Sequence, residues 1–95
     1  MSESSIAVVL GAGTMGHGIA QVLAMGGYEV RLCDLDAERV QGALGKVAAN
    51  LAGAVKRGKL SAEEQEAAQA RLSGGSDSAS AVADAAIVIE AIPES

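Results

Sequence analysis

The sequence predicts an α/β chain, the βαβαβ half of a doubly wound parallel sheet, with a helical pair between its second and third strands. Three observations carry this. Ile6 to Leu10 is wholly apolar and mostly β-branched, and Ala85 to Ala91 has Ile87-Val88-Ile89 at its centre; both read as fully buried strands. The stretches between the strand candidates carry apolar residues at helical spacing. The first run also passes straight into Gly11-Ala12-Gly13-Thr14-Met15-Gly16, a G-x-G-x-x-G loop that opens a helix.

Each element has its own local reasons. After the glycine loop, Ile19, Ala20 and Leu23 share one helical face, and Gly26-Gly27 supplies a C-terminal stop. Tyr28 to Asp34 then reads as a second strand ending in an acid. Asp36 is placed to cap a long helix whose apolar stripe is Val40, Leu44, Val47, Leu51 and Ala54, with Gly58 as its stop. Ser61-Ala62-Glu63-Glu64 is a capping box opening a shorter helix that fades near Leu72. Ser73 to Ser80 is polar and glycine-rich and is expected to be a loop, followed by a turn of helix from Ala81 to Asp84. Pro93 is expected to end the third strand.

Strand, glycine loop, helix, strand and acid in this order form a dinucleotide-binding fingerprint of the Rossmann type. Gly11 permits the tight turn, Gly13 lets a pyrophosphate approach the backbone, and Gly16 lets helix and strand pack closely. The open N–H groups and positive dipole end of the helix face the phosphates. Asp34, about 20 residues past the loop, stands where a carboxylate accepts from a ribose 2′-hydroxyl. It would repel a 2′-phosphate, and Leu35 beside it offers no guanidinium. The expected cofactor is therefore NAD rather than NADP.

Composition bounds the alternatives. Ninety-five residues make about one small domain, and with one Tyr and no Phe or Trp the core must be built from aliphatic side chains. A net charge of −5 argues against nucleic acid and anionic membrane as partners. The single cysteine, Cys33, suits a buried thiol in a reducing compartment, so a cytoplasmic protein is expected. No metal site is expected.

Taken together, GAGTMGHGIAQ, Asp34 closing the second strand, the long helix leading to KRGKL, the capped SAEEQ helix and the closing IVIEAIPE resemble the N-terminal part of the L-3-hydroxyacyl-CoA dehydrogenases. That group includes the 3-hydroxybutyryl-CoA dehydrogenases, and the resemblance covers essentially the whole chain. It implies an oxidoreductase of fatty-acid β-oxidation, moving hydride between NAD and the 3-hydroxyl of an acyl-CoA. It implies that Gly11, Ala12, Gly13, Thr14, Met15 and Gly16 hold the pyrophosphate and Asp34 the adenosine ribose. Ala91 and Ile92 would line the nicotinamide side, and Glu94 would stand where the family has a cofactor-contacting acid. Asn50 and Arg57 would approach the CoA moiety of the substrate. On the residues alone, the stripe of Lys46, Asn50 and Arg57, with Gly53 leaving room within it, reads first as a solvated helix face, and it is the resemblance that turns it towards CoA.

The sequence departs from the family pattern at His17, where a small residue is usual, and at Ala86, where an aspartate is common. His17 is the only histidine but faces the pyrophosphate, so no catalytic residue is expected in this chain. The family's catalytic histidine and glutamate would lie beyond Ser95. Residues 1–95 are thus expected to be the N-terminal part of the NAD-binding domain, cut after the third strand. Such a cut would leave the first strand without one neighbour, and a homo-oligomer is expected in consequence. A non-catalytic NAD-sensing module is the competing reading, against which the long crossover between the second and third strands speaks.

Overall fold

The computed structural model describes residues 5–76 and 78–91. Its elements run β1 (Ile6–Leu10), α1 (Thr14–Met25), β2 (Glu29–Cys33), α2 (Ala37–Lys56), α3 (Ala62–Ala70), β3 (Leu72–Gly75), α4 (Ser78–Val82) and β4 (Ile87–Glu90). The four strands form one parallel sheet in the order β3-β2-β1-β4.

The alternation of side chains along the strands sorts the sheet into two faces. Ala7 and Val9 pair with Val30 and Leu32, and with Ile87 and Ile89 on the other side, to line one face. Val9, Val30 and Leu32 are fully buried there in one cluster with Ala20 and Ala24 of α1, Val40, Ala43, Val47 and Leu51 of α2, and Ala68 of α3. Burial of this kind contributes about 25 cal/mol per Å² of apolar surface. On the opposite face Arg31 donates through Nη1 to the Ala81 carbonyl and to Asp84 Oδ1, 2.8 Å each, which ties α4 and the turn after it to the sheet.

The helix ends are set by the residues that the sequence nominates. Asp36 accepts from the N–H groups of Glu38 and Arg39 at 3.0 and 3.3 Å. Ser61 and Glu64 form both bonds of the capping box. Gly58, just past α2, takes φ 73°, a left-handed conformation that glycine adopts without strain.

Three expectations are corrected. Ser73 to Gly75 are not loop: with Leu72 they make β3, in register with Val30 to Cys33. Gly74 has the reason built in, because a Cβ there would collide with Val40 Cγ1 and crowd Leu44 Cδ1 at 3.1 Å. Val40 and Leu44 of α2 pack directly over that strand, so a side chain at position 74 would have to push them aside. The helical turn expected from Ala81 begins earlier, at Ser78. The sheet therefore has four strands rather than three, and the expected third strand is β4, which is half exposed rather than buried; Val88 keeps 47% of its surface open.

The last of these corrections removes the ground for self-association through β1. That strand is interior, paired with β2 from Ile6↔Glu29 to Leu10↔Cys33 and with β4 from Ala7↔Ile87 to Leu10↔Glu90. Its backbone groups are taken on both sides. The edges among the described residues are β3 and β4.

Candidate functional site

The glycine loop sits at the C-terminal ends of the interior strands, where open α/β sheets bind ligands. Gly11 leaves β1 with φ 107°, the conformation that demands glycine, and donates its N–H to the Cys33 carbonyl at 2.8 Å. Gly13 is the residue before α1, extended at φ −82°. Gly16 is buried in the first turn, and a Cβ there would run into the Gly11 carbonyl. The helix can approach the loop only because that atom is missing.

No side chain caps α1, and its first turn carries no acid. The N–H groups of Thr14, Met15 and Gly16 therefore open onto the loop without a carboxylate or hydroxyl in front of them. Thr14 and Met15 are exposed, Met15 to 68%. This donor set fits the diphosphate of a dinucleotide. Ala91 is buried beside the same turn, with its N–H donated to Leu10 O at 2.7 Å and its Cβ 3.7 Å from where a Gly16 side chain would begin.

Asp34, the first residue past β2, is joined to the loop directly. Its Oδ2 accepts from the Ala12 N–H at 2.9 Å, and its Oδ1 accepts from the Asp36 N–H at 3.0 Å. Arg39 Nη1 stands 3.7 Å from Oδ2. The Asp36 N–H, then the Ala12 N–H and more weakly Arg39, hold the carboxyl below the usual carboxylate range, against partial burial. Asp34 is thus an oriented, ionised acceptor with lone pairs left for a ribose hydroxyl. The loop and the acid meet as the sequence expects.

Asn50 and Arg57 lie elsewhere. Both are on or just past α2, with Asn50 roughly 20 Å along the helix from its start at about 1.5 Å per residue. Asn50 Nδ2 donates to Gln21 Oε1 on α1 at 3.0 Å, so its side of α2 borders α1 instead of facing away from the fold. Arg57 folds back over Gly53, where a Cβ would meet its Nη1 at 3.1 Å. Ile92 and Glu94 fall outside the described residues.

Two features escaped the sequence reading. Arg39 is the guanidinium that Leu35 does not supply, one turn into the helix that follows the acid. With Lys46, His17, Gly13 and Thr14 it lines a cleft of about 240 Å³ between α1 and α2. His17 shares its Nδ1 with the Gly13 carbonyl at 3.2 Å, which holds the ring against the loop.

The model of one protein family, 3-hydroxyacyl-CoA dehydrogenase, NAD binding domain, matches residues 5–95. A 3-hydroxyadipyl-CoA dehydrogenase of Escherichia coli (strain K12) is 45% identical over 86 residues, which are 90% of this chain and 18% of that protein. A glyoxysomal fatty acid beta-oxidation multifunctional protein of Brassica napus is 38% identical over 86 residues, 90% of this chain and 12% of its own. The crystal structure of (S)-3-hydroxybutyryl-CoA dehydrogenase from Ralstonia eutropha superposes with a TM-score of 0.90 at 34% identity, covering 98% of this chain and 32% of that one. The chain spans about a third or less of the length of these relatives.

Proposed function

The chain belongs to the family of 3-hydroxyacyl-CoA dehydrogenase NAD-binding domains, and from that premise we propose that it is the N-terminal part of the cofactor grip of an enzyme interconverting L-3-hydroxyacyl-CoA and 3-oxoacyl-CoA. The observation that carries this is the junction of an uncapped α1 with an oriented Asp34, linked through the Ala12 N–H. Bound NAD would supply the hydride chemistry. The residues of this chain bind and orient: the first turn of α1 takes the diphosphate, and Asp34 takes the adenosine ribose. Ala91, Ile92 and Glu94 belong to the nicotinamide side of the proposal. Calorimetric titration of the chain with NAD tests the grip, and absence of saturable binding overturns it.

The acyl-CoA substrate and a role in fatty-acid β-oxidation come from the relatives and are proposed for the whole protein. Asn50 and Arg57 are its CoA contacts in this proposal, supported for Asn50 by its bond to Gln21 at the border with α1. In the protein that carries this chain, Arg57→Ala raises the KM for acyl-CoA and leaves NAD affinity alone; an unchanged KM restores a purely solvated stripe. This chain alone oxidises no 3-hydroxyacyl-CoA, since a base must reach the substrate hydroxyl and His17 is turned to the Gly13 carbonyl. Turnover by the chain, surviving His17→Ala, sinks that assignment.

A cytoplasmic location is supported by the buried, unbridged Cys33. No helix among the described residues is long and apolar enough to cross a membrane. The net charge supports excluding nucleic acid as a partner. A homo-oligomer keeps as support only the exposed apolar residues Met15, Val22 and Val88, and light scattering reads it.

A further inference from the structure

Glycine inside a helix is less favourable than alanine, and α2 carries three, Gly42, Gly45 and Gly53. At the first two a Cβ would meet nothing within 4 Å. Gly53 is different. The space its missing Cβ leaves is bordered by the end of the Arg57 side chain, with Nη1 3.1 Å, Cζ 3.9 Å and Nη2 4.0 Å from where that atom would be. The guanidinium is thus folded back along the helix by about one turn. One turn further back on the same stripe stands Asn50, whose amide donates to Gln21. Among the described residues no carboxylate pairs with Arg57, whereas Arg31 and Arg39 each have one. A cation laid along its own helix, with no protein anion beside it, suits an anionic ligand.

We propose that Gly53 is a positioning residue: by lacking a side chain it seats the Arg57 guanidinium toward Asn50, so that the two meet a phosphate-bearing part of CoA together. This rests on the reading of Asn50 and Arg57 as CoA contacts given above. An arginine fork takes phosphate oxygens two at a time, and a guanidinium already seated loses less freedom on binding. Asn50 gives one N–H to Gln21 and keeps the other, with its Oδ1, for the ligand. Helix stability and grip on the substrate therefore pull in opposite directions at position 53. Alanine there favours the helix but moves the guanidinium by a few tenths of an ångström. Leucine, also a good helix former, takes its place outright.

The test is made in the protein that carries this chain, with 3-hydroxybutyryl-CoA as substrate. KM, kcat, the NAD dissociation constant and the thermal midpoint are measured for wild type, Gly53→Ala, Gly53→Leu, Arg57→Ala and the double variant Gly53→Leu with Arg57→Ala. The KM is expected to rise about twofold in Gly53→Ala and about fivefold in Gly53→Leu, with kcat and the NAD constant unchanged. The thermal midpoint should hold or rise in both, as a better helix former replaces glycine. On top of Arg57→Ala, Gly53→Leu should add nothing, because the group it displaces is gone. An unchanged KM in Gly53→Leu, while Arg57→Ala raises it, overturns the positioning role and leaves the CoA contact standing. So does a further rise on top of Arg57→Ala, since leucine then obstructs the substrate directly, and so does a fall in kcat or midpoint alongside the KM effect. An unchanged KM in Arg57→Ala instead overturns the CoA reading itself.

Discussion

Helices α1 and α3 begin in opposite ways. At α3, Ser61 accepts from the Glu64 N–H, Glu64 reaches back to the Ser61 N–H, and two acids occupy the first turn. At α1, the residue before the helix is Gly13, no side chain closes the end, and no acid stands in the first turn. The same backbone physics leaves free donors at both ends. One set is spent on the protein's own side chains, and the other is left open, which is what the proposed cofactor grip uses. Helix α2, capped by Asp36, is of the closed kind, yet its cap follows so soon after Asp34 that the N–H of Asp36 itself helps to aim the Asp34 carboxylate.

The sharpest way to break the contrast is to close α1. Gly13→Asp, at a backbone geometry any residue can adopt, gives α1 the cap its neighbours have. Thermal stability should hold or rise slightly while NAD affinity falls at least about a hundredfold, as the carboxylate takes the donors and repels the diphosphate. Retained affinity would show that the open helix end is not the phosphate seat. Next in size, Asp34→Ala removes the ribose acceptor and should weaken NAD by about tenfold, or 1.4 kcal/mol, by the same titration. An unchanged constant takes the ribose away from Asp34.

The converse experiment opens the closed end. Ser61→Ala should cost about 1 kcal/mol of unfolding free energy in urea and leave the NAD dissociation constant where it was. A change in affinity would mean that α3 communicates with the site after all. The smallest effect is on acid stability. Asp34 is held low by the Asp36 and Ala12 N–H groups, Glu64 by the Ser61 N–H and hydroxyl, and Asp84 by its bond to Arg31. Each folded value lies below the unfolded one, so these contributions are complete above about pH 4.5 and drain away as pH falls through the lower folded values. Urea midpoints followed downward from neutral pH should stay level and then drop; in Ser61→Ala the part due to Glu64 should shrink.

Which features were legible follows the range of the forces behind them. The glycine loop, Asp34, Asp36 and the Ser61–Glu64 box announce themselves because each is decided within a few residues. Strand β3 does not. Leu72-Ser73-Gly74-Gly75 has poor strand propensity, and it is extended because β2 offers a ladder from Val30 to Cys33 and because α2 leaves space only for glycine at position 74. Overlooking it hid a strand from the count, and with it the interior place of β1. Arg39 was missed for a related reason. It looks like an ordinary exposed helix residue until the turn at Asp36 brings it against Asp34.

The sheet register also orders these events in time. Everything assigned to the adenosine half in the proposed grip, from Ile6 through the glycine loop to Asp34, is assembled by the β1–β2 pairing across one short crossover. The seat of Ala91 depends instead on β1 meeting β4, Ala7 against Ile87, from opposite ends of the described chain. Closing so long a loop costs more chain entropy and is slow. As the polypeptide emerges from the ribosome, one half of the binding cleft can therefore take shape well before the residues of the other half have been translated.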